Sequence, residues 1–165
     1  MKTLNDLFEH QLKDLYSAEI QLLEALPHIM EHTSDEQLRQ AFENHLKETK
    51  EQKNRIETIC NELNITPNGE TCQAMKSLIS EARNFIDEAE EDNELMDVGL
   101  IAEIQRVQHY EISGYGAAVR FAKELGYRNI AKTLQETLNE EYDADSTLEK
   151  LAETRLNKKA IGGNS

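Results

Sequence analysis

The chain is predicted to fold as an all-α four-helix bundle, two antiparallel helical hairpins joined by a long crossover, and three observations carry that prediction. Composition is the first. In 165 residues there are 5% aromatics, no Trp, 7 Gly and 2 Pro, and this scarcity of turn formers beside abundant Glu, Lys, Leu and Ala is that of a helical protein. The second is periodicity, with apolar residues recurring at helical spacing in four long stretches. The third is an internal repeat. A shift of 92 positions lays Phe8, Leu12, Leu15, Glu19, Leu23, Leu26 and Met30 on Leu100, Ile104, Val107, Glu111, Tyr115, Ala118 and Ala122. The same shift lays Leu38, Phe42, Leu46, Ile56 and Ile59 on Ile130, Leu134, Leu138, Leu148 and Leu151.

The first helix runs from about Thr3 or Asn5 to His32, with Thr3 as cap and an expected kink at Pro27. After a short joint, Ser34-Asp35-Glu36-Gln37 has capping-box spacing and opens a second helix that reaches about Asn64. Thr66-Pro67-Asn68-Gly69 breaks the chain. Cys72, Met75, Leu78, Ile79, Ala82, Phe85, Ile86 and Ala89 then mark a shorter amphipathic helix, which ends in a solvated acidic run from Asp87 to Glu94. The third long helix spans about Asn93 to Leu125 and closes on Gly126. The fourth spans about Arg128 to Leu156, and residues 157–165 read as a frayed tail. A helix of about 28 residues is about 42 Å long. A crossover over about residues 65–92 with its own five-turn helix travels back along the bundle, which is the ferritin-like variant of the four-helix fold. Residues 1–156 therefore form one helical domain.

Four helices bring polar groups to one level of the core. Glu19 projects onto the centre of the apolar stripe of the first helix, and the repeat gives it a twin in Glu111. On the fourth helix Glu141 and Asp145 project within about 30° of the stripe centre, with Glu140 on the flank and Asp143 facing away. On the second, His45 and Gln52 face inward and Glu48 lies on the boundary, so His45-x-x-Glu48 has the spacing of a chelating pair. Like charges about 4 Å apart repel by about 4 kcal/mol at an effective dielectric of about 20. Five such carboxylates need cations, and hard oxygen ligands with one imidazole suit two ions of iron or manganese. Salt bridges from Arg106, Arg120, Lys53 or Arg55 are the bland explanation for any single inward Glu. Tyr16 and Tyr115 lie within reach of a ligand carboxylate, and His109 points away from Glu111 to the surface.

Leu15-Tyr16-Ser17-Ala18-Glu19, His45-Leu46-Lys47-Glu48-Thr49, His109-Tyr110-Glu111-Ile112 with Tyr115, and Leu138-Asn139-Glu140-Glu141 with Asp145 and Leu148 resemble the YciE/YciF family of bacterial ferritin-like stress-response proteins over about residues 2–156. The resemblance implies a ferritin-like bundle that forms a homodimer and is similar to rubrerythrin and other di-iron carboxylate proteins. The general di-iron pattern takes one Glu from each of two helices and Glu-x-x-His from each of the others. Glu19 and Glu111 match the single positions. The second helix departs, with His45 ahead of Glu48. The fourth offers Glu141-x-x-x-Asp145 or Glu140-x-x-Asp143 without a histidine, and Gln108 stands where some relatives have a carboxylate.

A net charge of −14, from 18 basic and 32 acidic residues, argues against nucleic acid and anionic membrane as partners. No run approaches the roughly 20 apolar residues of a membrane span. Cys60 and Cys72 read as reduced, partly buried thiols, in keeping with a cytoplasmic protein. No Ser/His/Asp arrangement, phosphate loop or nucleotide fingerprint is present. Two readings follow. One is a di-iron or di-manganese carboxylate protein that handles oxygen or peroxide. The other is a non-enzymatic dimeric stress protein without a working metal site; an iron-storage shell subunit is a weaker third. The crossover helix, with Phe85 and Ile86, is the candidate dimer face.

Overall fold

The computed structural model describes residues 1–89 and 92–162, so positions 90–91 of the acidic run and the end of the expected tail, 163–165, lie outside the described residues. Helix α1 (Leu4–Glu31) opens on a reciprocal capping box. The Thr3 hydroxyl accepts the Asp6 N–H, and the Asp6 carboxylate accepts the Thr3 N–H. The helix continues through Pro27 because Leu26 and Ile29, either side of it, are held in the core. Helix α2 (Glu36–Glu62) is capped by Asp35, which accepts the Gln37 and Leu38 N–H groups, and not by Ser34. Ser34 is taken by a tertiary contact. Asp97 accepts its N–H at 2.8 Å and its hydroxyl at 2.5 Å, together with the Asp35 N–H at 2.9 Å. Asn64, at φ +55°, ends α2 in the left-handed region, where a short polar side chain is tolerated.

The crossover carries α3 (Gln73–Glu88), followed by α4 (Asn93–Glu124), with Gly126 at φ +79° closing α4 as expected. The last long helix is shorter than the sequence suggests. Helix α5 (Arg128–Leu151) passes through a π-helical turn (Ala152–Leu156) into α6 (Asn157–Gly162), so the expected frayed tail is helical as far as it is described. Leu156 is buried in the core, and Arg155 pairs with Asp35, which together anchor this segment.

The bundle is a square in which α1 packs on α2 and α4, and α5 packs on α4 and α2. This is the ferritin-like four-helix architecture, and no β-strand occurs among the described residues. Helix α3 lies outside, against α1 and α4. Its cap is Cys72, whose sulfur accepts the Met75 N–H, while the Cys72 N–H donates to Ser17 at 2.9 Å and its carbonyl accepts from Gln21 at 3.1 Å. Ile86 is buried, and the Phe85 ring lies over Gly99, where a Cβ would come within 1.8 Å of it. Of the two residues expected at a dimer face, Ile86 is thus buried within the chain and Phe85 is half-buried.

The apolar core is in two halves. One gathers Phe8, Leu12, Leu15, Ile56, Tyr115 and Leu138, and the other Leu22, Leu26, Phe42, Leu100, Ile104 and Leu148. Between them, on all four bundle helices, lies a buried polar layer of Glu19, His45, Thr49, Gln52, Gln108, Glu111 and Glu141.

Asp97, itself only 3% exposed, ties the α1–α2 joint to α4 by three hydrogen bonds to one carboxylate. Asp97→Ala leaves two backbone N–H groups without their acceptor and is expected to cost about 2 kcal/mol. That lowers the melting temperature by about 5 °C, read by circular dichroism; an unchanged melt would show that water replaces the carboxylate without loss.

Candidate metal centre

Each bundle helix delivers polar groups to the layer because an apolar stripe on either side of them fixes its rotation. His45 Nε2 lies 3.9 Å from Glu111 Oε2 and 3.8 Å from Glu141 Oε2, and none of the three side chains is more than 2% exposed. These three residues form a cluster able to coordinate one metal ion. Glu19 is equally buried and receives the phenolic hydrogen of Tyr115 on α4. The tyrosine that follows Glu111 by one turn thus bonds the opposite twin. Gln52 donates to Glu141 Oε1 at 2.8 Å and leaves Oε2 facing the imidazole.

None of the expected cations pairs with a carboxylate of this layer, and Arg120 is exposed. Arg55 grips Glu140 in a two-pronged pair at 2.6 and 2.8 Å, Lys53 pairs with Glu57, and Arg106 with Glu103. That settles which neighbour turns inward: Glu140 is held at the flank and Glu141 occupies the core. Both ring nitrogens of His45, both oxygens of Glu111, Oε2 of Glu19 and Oε2 of Glu141 are buried without a hydrogen-bond partner. Thr49 Oγ1, Gln52 Oε1 and Gln108 Oε1 share that condition.

Burial governs the protonation of the layer. It drives the Glu19 carboxyl well above its ordinary range, reinforced by Glu141 and opposed by the Tyr115 hydrogen bond. Glu111 is driven up by burial and then by Glu141 and Glu19. Burial raises Glu141 to about 8, against the Gln52 hydrogen bond. His45 is pushed down to about 4 by burial alone. Without a metal, the layer is therefore a neutral imidazole among carboxyls that resist ionisation.

Two expected ligands stand elsewhere. Asp145 is drawn to the α4–α5 seam, where it pairs with His109 at 3.1 Å and accepts from Gln105 at 2.9 Å. Glu48 is half-buried and lines a cleft beside His45, outside the three-residue cluster. Tyr16 donates to Glu57 and does not meet the layer. Gln52, inward by its helical projection, holds Glu141, a partnership that lies across two helices and leaves only that projection as its signal in the sequence.

A family described as "Domain of unknown function (DUF892)" matches residues 3–161. Protein YciF of Escherichia coli is 48% identical over 161 residues, covering 97% of this chain and 96% of YciF. The crystal structure of that stress protein shares a TM-score of 0.90 at 47% identity, over 96% of this chain and 99% of the other. YcfI of Rhodopseudomonas palustris gives a TM-score of 0.87 at 37% identity, over 90% of this chain and 94% of its own. A Xanthomonas campestris protein at 17% identity and a TM-score of 0.74 shares the fold. Identity and coverage of this extent establish that the chain belongs to the YciE/YciF family and its DUF892 domain.

Proposed function

We propose that this chain is a ferritin-like stress protein that binds divalent iron or manganese in its core, two ions per chain, and uses them on oxygen or peroxide. One observation carries the reading: the buried layer holds six ligand-type oxygen and nitrogen atoms without partners, on Glu19, His45, Glu111 and Glu141. Leaving one buried polar atom unsatisfied costs about 1–3 kcal/mol; a proton shared between Glu111 and Glu141 closes one pair of the six, and the rest call for a ligand. The donors fit the group: oxygens with one imidazole suit iron and manganese. His45, Glu111 and Glu141 would hold one ion; Glu19, beside them in the layer, would serve a second, to which Glu48 would have to turn in from the cleft. Bound iron or manganese supplies one-electron chemistry toward oxygen and peroxide. The chain's own part is orientation. Tyr115 fixes one oxygen of Glu19, Gln52 fixes one of Glu141, and Arg55 keeps Glu140 out of the way. The Escherichia coli relative is a stress protein, and we extend that setting to this chain, together with the homodimeric state that the family resemblance implies.

A metal-free scaffold is the rival reading. It is favoured by the raised carboxyls, which are neutral when protonated, and by the bonds that Tyr115 and Gln52 already donate to them. Metal analysis of protein purified without chelator separates the two. The expected result is two iron or manganese ions per chain, with Glu111→Ala and Glu141→Ala reducing binding at least about tenfold, a loss of about 1.4 kcal/mol or more. No metal in the wild type, together with a Glu111→Leu variant that is more stable, would favour the scaffold.

Linkage gives a second expectation. Glu141 titrates near 4.5 when unfolded and near 8 when folded. The folded metal-free chain binds more protons in between, so its stability falls as pH rises through that range. His45 acts oppositely, since its folded value near 4 lies below its ordinary 6.5. Its contribution is lost as pH falls from 6.5 toward 4, and it is silent above that range. Between about pH 6.5 and 8 the metal-free melting temperature should drop by at least about 5 °C from Glu141 alone, and the raised Glu19 and Glu111 carboxyls act in the same direction. Added Mn(II), which takes the ionised carboxylates, should remove or reverse that slope. A metal-free melt that is flat or rises over this window would show that the carboxyls are already ionised in the fold.

A further inference from the structure

A cleft of about 110 Å3 lies between α2 and α5 beside the buried layer. Asn44, Asp143 and Thr147 are its solvent-exposed lining residues, and Glu48 lies half-buried among them. His45 and Gln108 line its inner side, 2% and 1% exposed, each with buried polar atoms that have no partner. The cleft thus runs from the exposed Asp143 carboxylate, past half-buried Glu48, to a ligand of the candidate centre. Four larger surface cavities, of 300 to 480 Å3, are lined by none of the layer's residues. The space admits several waters, so a hydrated ion would enter only by exchanging part of its shell for protein oxygens. Suitable oxygens are present. Gln108 Oε1 is free, and the Thr147 hydroxyl donates its hydrogen to the Asp143 carbonyl at 2.9 Å, which leaves its lone pairs for a cation.

We propose that this α2–α5 cleft is the loading route for a divalent cation: Asp143 and Glu48 draw the ion to the mouth, and Gln108 and His45 receive it. The inference rests on the reading that the layer binds metal. An acidic mouth alone would say little in a chain of net charge −14. The unpartnered, deeply buried His45 and Gln108 at its inner side distinguish this cleft from the rest of the surface.

The test is stopped-flow uptake of cobalt(II) chloride, followed by release to EDTA, in the wild type, Ala144→Phe and Asp143→Lys. Ala144 lines the cleft and is not a ligand. A phenyl ring there should slow uptake and release by the same factor, about tenfold or more, with stoichiometry and affinity unchanged. Asp143→Lys should slow uptake by about tenfold at low salt and flatten its salt dependence, because steering by a charged mouth is screened by ions. Asp143 is exposed, so this variant carries the test if Ala144→Phe does not fold. Wild-type rates in the folded variants would overturn the route while leaving the metal site standing. Weakened affinity without matched slowing of uptake and release would mark a distorted site and overturn the route as well. A wild type that takes up no cobalt would overturn the metal reading and the route with it.

Discussion

Three carboxyl groups and an imidazole share one buried layer, and no Lys or Arg of the described residues pairs with them. Two carboxylates about 4 Å apart repel by about 4 kcal/mol at an effective dielectric of about 20, and removing each from water costs several kcal/mol more. The layer must therefore hold protons or take up cations. That single constraint organises the molecule. It cuts the apolar core into two halves, each closed by its own Leu, Ile and Phe contacts, and makes the four helices meet at one height.

The surrounding charges are arranged so that few carboxylates converge. Arg55 holds Glu140, His109 holds Asp145, and Lys53 holds Glu57, all at the flanks. Of the residues that do converge, Glu19 is oriented by Tyr115 and Glu141 by Gln52, while Glu111 and His45 have no hydrogen-bond partner. A buried carboxyl with one oxygen fixed and the other free suits a ligand awaiting an ion, and it also suits a protonated group in a sealed core. The pH response separates the two, since protons stabilise the second and compete with the first.

Most of the fold was legible because the apolar periodicity and the repeat are strong and mutually consistent. Glu19 and Glu111 were legible for the same reason, each at the centre of a stripe. The remainder depended on contacts across helices that one helical projection does not contain. Asp145 lies about 40° around α5 from Glu141, a small angle on paper, yet enough for His109 and Gln105 to draw it to the seam. Glu48 lies about 60° from His45 and so lines the α2–α5 cleft. Arg55, a residue of another helix, holds Glu140 at the flank where its projection placed it. Ser34 and Asp35 both suit a helix cap, and the choice fell to Asp35 because Asp97, 63 residues from Ser34, claimed the serine. The helical turn of α6 was missed because Leu156 gains its burial from the bundle and not from its neighbours in sequence.

Anomalous diffraction at the manganese absorption edge, from crystals grown with Mn(II), bears most directly on the buried layer. The account predicts density within bonding distance of His45, Glu111 and Glu141, with a second peak beside Glu19. Anomalous peaks confined to surface carboxylates, with the layer closed by its own hydrogen bonds, would contradict it.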